Sequence, residues 1–94
     1  MKRLLSCTSS EMLKMDGQEL KQAILASEGR TVMTETVVAI EPLLGDLTNA
    51  ELAVSFGSDM VLLNCFDCNN PEIKGLPECD NPVEKLKEIV GRPI

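Results

Sequence analysis

The chain contains no histidine, no tryptophan and no tyrosine, and only two phenylalanines, Phe56 and Phe66. Without histidine there is no Ser-His or Cys-His nucleophile pair within these 94 residues, and the commonest zinc ligand is missing. Any acid–base chemistry would fall to carboxylates, lysines or thiols. With aromatics so scarce, a core must be built from Leu, Ile, Val, Met and Ala. No apolar run approaches the roughly 18 residues of a membrane span. Leu4-Leu5-Ser6-Cys7 looks like a lipoprotein cleavage box, but too little precedes Cys7 to supply the roughly 7–15-residue apolar core of a signal peptide. Cationic stripes are lacking too. The lysines and arginines are scattered and the net charge is −6, which argues against nucleic acid and anionic membranes as partners. Neither a P-loop nor a G-x-G-x-x-G occurs, and Gly45 and Gly75 are isolated turn residues, so no nucleotide site is indicated.

What is present speaks mainly to architecture. An apolar fraction of 44% is that of a globular chain. Four helix starts are written as local signals. Thr8-Ser9-Ser10-Glu11, Asp16-Gly17-Gln18-Glu19 and Thr48-Asn49-Ala50-Glu51 each place a cap residue three before a glutamate. The cap oxygen accepts a backbone N–H, and the glutamate reaches back to the cap's own N–H. Asn81-Pro82-Val83-Glu84 adds proline at the first helical position, where its missing N–H costs nothing. Behind these caps, apolar residues recur at helical spacing: Leu20, Ala23, Ile24 and Ser27; then Leu52, Ala53 and Phe56; then Val83, Leu86 and Val90. Each set is expected to face the core.

Gly29, Gly57 and Gly91 each follow a helix and fit the left-handed position that ends one. After Gly57 comes Met60-Val61-Leu62-Leu63, an unbroken apolar run of the kind buried on both faces in parallel sheets. Thr31-Val32-Met33-Thr34 is a weaker version, and Arg92-Pro93-Ile94 looks like the start of a third strand. Helices interposed between apolar strands imply right-handed βαβ crossovers. The expected fold class is therefore α/β: the N-terminal βα units of a parallel (β/α)8 barrel, incomplete in this chain and preceded by two short helices. Residues 1–28 form the helical segment, and residues 29–94 form two βα units and the start of the third strand. Two parallel strands leave an open edge. Either further strands of a larger domain or a second copy of the chain would cover it.

Ligands of parallel α/β folds meet the carboxyl ends of strands. Glu35, Asn64 and Asp67 fall after the two expected strands and are the candidate substrate-binding residues. They supply a carboxylate able to act as base or ligand, an amide that donates and accepts, and a second carboxylate. The competing reading is that they cap strand ends and hold loops. Asp46 is expected to organise the turn before Thr48. The pair Cys65-x-x-Cys68 has zinc-knuckle spacing, but Cys79 is single, Cys7 belongs to another segment, and Asn69-Asn70-Pro71 reads as a loop and not the helix start of a redox pair. The thiols are expected to be incidental and reduced, as in a cytoplasmic protein. A zinc or redox module is the alternative.

At "RTVMTETVV", "LLGDLTNAELAVSFGSDMVLLN" and "FDCNNPEIKGLPE" the chain resembles the N-terminal region of a bacterial family of TIM-barrel proteins described as phosphoenolpyruvate phosphonomutase-like or haloacid dehalogenase-like. Members tend to carry apolar residues where Cys65 and Cys68 stand. The resemblance implies a barrel continuing beyond Ile94, with lyase or mutase chemistry on a small phosphorylated or carboxylated acid. It also implies Mg2+ held by acids on later strands, and no cofactor bound by this chain alone. In such barrels the segment after the second strand contacts the substrate, which here is Asn64 to Asp67, although the Gly/Ser-rich residues typical of that contact are absent. A small-molecule substrate and association with further copies of the chain are the expected partners.

Overall fold

The computed structural model describes residues 2–94. A 3₁₀ turn at Leu4–Ser6 leads into α1 (Ser9–Leu13) and α2 (Gly17–Ala26), followed by β1 (Met33–Val37), α3 (Asn49–Ser55), β2 (Met60–Asn64) and α4 (Pro82–Val90). The chain is α/β, with β1 and β2 paired in parallel and Met33 opposite Met60 through to Val37 opposite Asn64.

All four expected caps are formed. Thr8, Asp16 and Thr48 each close a reciprocal capping box with Glu11, Glu19 and Glu51. Asn81 accepts the Glu84 N–H, with Pro82 opening α4. Gly91 ends α4 in the left-handed region at φ 63°. A Cβ there would also sit 2.6 Å from Ser9 Oγ, so the glycine lets the end of α4 meet the start of α1. Arg92 reinforces that junction by donating to Ser9 Oγ at 3.0 Å.

Parallel pairing puts registered residues on the same face of the sheet. Thr34, Thr36 and Val38 share one face with Val61 and Leu63. Val38 and Val61 join Ala50, Ile73, Leu86 and Val90 in the main core, with Val54, Leu63, Phe66, Leu76 and Ile94 packed around them. The opposite face carries Met33, Glu35 and Val37 beside Met60, Leu62 and Asn64. At its amino end Met60 packs against a second cluster, Leu4, Met12 and Ala23, formed by the N-terminal helices. Elsewhere the face is open: Met33, opposite Met60, is 55% exposed and Leu62, further along, 39%. The unbroken run Met60–Leu63 is thus covered on one face, not on the expected two, because both α3 and α4 pack on the same side.

The 3₁₀ turn is tied to the end of α2 by Ser27, which is fully buried. Its hydroxyl accepts the Leu4 N–H at 3.0 Å and donates to Ala23 O at 3.0 Å, so no polar atom is stranded there.

Three expectations are corrected. The first strand begins two residues later than Thr31 and runs to Val37, since Val38 N–H still reaches Asn64 O at 3.1 Å and prolongs the ladder. Glu35 and Thr36 therefore lie within β1, and Asn64 closes β2 instead of following it. In α3 the core-facing residues are Ala50 and Val54, whereas Phe56 is 85% exposed. The small side chains let the helix approach the sheet. The segment 92–94 forms no strand, yet Val61 N–H donates to Pro93 O at 3.0 Å. Met60 and Asn64 turn their backbone groups toward β1, so the Val61 bond lies on the other edge of β2. No helix of the described residues is long and apolar enough to cross a membrane.

Candidate functional site at the strand ends

The loops that leave the carboxyl ends of β1 and β2 are pinned to each other. Lys74 N–H donates to Val38 O at 3.0 Å, and Ile73 beside it is buried in the main core. Gly75, at φ 91°, lies so close to the first loop that a Cβ would stand 2.8 Å from Pro42 Cγ and 2.9 Å from Leu47 O. This position therefore needs glycine for its left-handed backbone and for the close approach alike. Spacing alone marked it only as a turn. The first loop is closed by Leu47 N–H to Leu44 O at 3.2 Å, and Asp46, expected to organise this turn, makes no side-chain hydrogen bond among the described residues.

The sequence-derived candidates divide into two groups. Glu35 and Asn64 lie on the open face of the sheet, with Asn64 one pleat nearer the carboxyl end. Strand spacing and rise put their Cα atoms roughly 8 Å apart. Both are exposed, and neither side chain makes a hydrogen bond among the described residues. Asp67 stands apart in the loop. Its Oδ1 accepts the Asn69 N–H at 2.9 Å, so part of its carboxylate holds the turn. Asp67 also lines a shallow cavity of about 170 Å3 with Val38, Ala39, Cys65, Asn70, Glu72 and Lys74. Glu35 thus lies at mid-strand, Asn64 at the end of β2 and Asp67 in the loop beyond, and the three do not converge on one point.

Lys74 was not singled out by the sequence. Its ammonium lies 3.1 Å from Glu72 and 3.7 Å from Glu41, which joins the two loops. The hydrogen bond to Glu72, then the charges of Glu72 and Glu41, hold its pKa above the ordinary lysine value. The signal available in the sequence was that Lys74 is the sole cation between Val38 and Asn81. In α1, Glu11 is held below the ordinary carboxylate range, first by the Thr8 N–H and then by Lys2.

Cys65, just after β2, is in a left-handed conformation at φ 64° and is exposed, as are Cys68 and Cys79, and all four thiols are free. Among the described residues no group of three or more Cys, Asp or Glu side chains is placed to hold a metal. Neither zinc on the cysteines nor magnesium on Glu35, Asn64 and Asp67 fits this arrangement.

The molecule is thus a parallel α/β chain with a pinned rim at its strand ends. Residues 5–94 match a family described as a domain of unknown function, DUF7916, and the chain belongs to that family. No curated protein and no solved structure matches it.

Proposed function

We propose that this chain forms the first two βα units of a (β/α)8 barrel, with residues 92–94 leading into a third strand once the barrel is complete. The completed barrel would carry out lyase or mutase chemistry on a small phosphorylated or carboxylated acid. The observation that carries this reading is the asymmetry of the sheet. One face is covered by α3 and α4, and the other bears Val37 and Leu62 alongside Glu35 and Asn64. A barrel interior likewise stacks inward-facing side chains in layers, here Met33 with Met60, then Glu35 with Leu62, then Val37 with Asn64 at the carboxyl end. The bond from Val61 N–H to Pro93 O, on the edge of β2 remote from β1, supports a third strand in the neighbouring position. The resemblance to phosphonomutase-like barrels supplies the substrate class.

In this scheme the Asn64 amide donates to a substrate oxygen and the Glu35 carboxylate takes a proton at the inner wall. Asp67 positions the ligand from the rim. A divalent cation would be held by residues outside this chain. The 94 residues alone are inert, because a barrel site draws on several strand ends. The net charge of −6 supports a protein acting apart from nucleic acid and membranes, and four free thiols suit the cytoplasm.

The test is to purify the protein as its own cells make it and assay it on a panel of small phosphono-, phosphoryl- and carboxy-acids for C–C or C–P bond cleavage. Asn64→Ala should lower kcat/KM on the order of a hundredfold with an unchanged melting temperature. No turnover of any member of the panel would overturn the reading. The open face and edge also suit a self-associating module without catalysis, in which a second copy covers them. That reading requires a melting temperature that rises steeply with protein concentration.

A further inference from the structure

Lys74 has no cationic neighbour in either strand-end loop. Glu41, Asp46, Asp67, Glu72, Glu78 and Asp80 are all acidic. The backbone around it is fixed on both sides, by Ile73 in the core and by Gly75 against Pro42 and Leu47. Its own N–H is bonded to the end of β1 at Val38 O. The side chain therefore starts from a rigid point beside the carboxyl end of the sheet and lines the cavity shared with Val38, Ala39, Cys65, Asp67, Asn70 and its own partner Glu72. At about 170 Å3 that cavity has room for a few water-sized groups, which suits the oxyanion head of a small acid. Lys74 is also better covered than its partners: its side chain is 39% exposed, against 61% for Glu72 and 79% for Glu41. Ion pairs to such exposed glutamates are weak and exchange readily.

The geometry points to Lys74 as the residue that anchors the anionic head of the ligand at the strand ends. A phosphoryl or carboxylate oxygen takes the place of Glu72 on the ammonium, and Glu41 stays beside it. This rests on the strand ends being the ligand site, and adds the cation that the three candidates Glu35, Asn64 and Asp67 lack. Between ligands, the two glutamates keep the amine charged and held over the rim, consistent with its raised pKa.

Inorganic phosphate is the probe, titrated at constant ionic strength into the 15N-labelled 94-residue chain, with chloride as control. Saturable amide shifts at Val38, Ala39, Cys65, Asp67, Asn70 and Lys74 are expected. Lys74→Gln should weaken the apparent Kd about tenfold and Lys74→Arg should restore it. Equal affinity in Lys74→Gln, with the same residues shifted, overturns the role of Lys74 and leaves the strand-end site standing. Absence of strand-end shifts in the native chain overturns both. A purely structural lysine would lower the melting temperature of Lys74→Gln without changing the phosphate Kd. Should Lys74→Gln fail to fold, the double variant Glu41→Gln with Glu72→Gln decides. Freeing the ammonium should tighten phosphate severalfold, and unchanged affinity contradicts the proposal.

Discussion

The two faces of the β1–β2 sheet are made from similar residues and have different fates. On the packed face, Val61 is 2% exposed and lies against Leu86 and Val90 of α4 and Ala50 of α3. On the other, Leu62, its immediate neighbour in sequence, is 39% exposed with Asn64 and Glu35 beside it. Hydrophobicity does not separate Val61 from Leu62. What separates them is that both helices pack on the same side of the sheet. The packed face holds these residues together. The open face is where a ligand, further strands or a second copy has access.

Substitutions can break that contrast in order of expected size. Leu86→Ala, at the centre of the packed face, should cost about 3 kcal/mol in chemical denaturation of the 94-residue chain. A loss below about 1 kcal/mol would mean that α4 is not the main cover of the sheet. Gly91→Ala should cost about 1–2 kcal/mol, because its backbone is left-handed and the new Cβ meets Ser9 Oγ. Ser9→Gly in the same chain should recover only the steric part. Thr48→Ala removes the cap of α3 and should cost about 1 kcal/mol. Leu62→Ser, on the open face, should change stability by no more than about 0.5 kcal/mol in this chain. In a complete barrel the same change should be severe, and that reversal is the sharpest contrast available from one side chain.

The smallest effect is a response to acid. Glu11 is held below its ordinary value of 4.5 by the Thr8 N–H and by Lys2. A folded pKa that is lowered stabilises above the unfolded value, and the contribution is lost as pH falls through the folded one. The start of α1 should therefore loosen below pH 4.5, read as a small loss of helical circular dichroism. Glu11→Gln should remove that pH dependence.

The caps were legible because each is a local sentence of four residues: a hydroxyl or carboxylate, then a glutamate three positions on. The left-handed glycines after α2, α3 and α4 were legible for the same reason. Spacing failed at Phe56 because α3 has two apolar stripes, and only proximity to the sheet favours the smaller Ala50 and Val54 over Leu52 and Phe56. The carboxyl end of β1 was misjudged because a strand ends where its ladder ends, and the partner of Val38 is Asn64, 26 residues further along. As a result Glu35 and Asn64 face the open side together, while Asp67 turns back to hold its own loop. Lys74 was hidden for a similar reason. Its place depends on Gly75 meeting Pro42, a contact that no short pattern encodes.

The central claim is that the open face and the outer edge of β2 are covered by further strands of the same polypeptide. Native mass spectrometry of the protein purified from its own cells tests it most directly. The account predicts one chain on the order of 250 residues, near the usual size of such a barrel. Chains of 10.3 kDa, alone or assembled with one another, would contradict it.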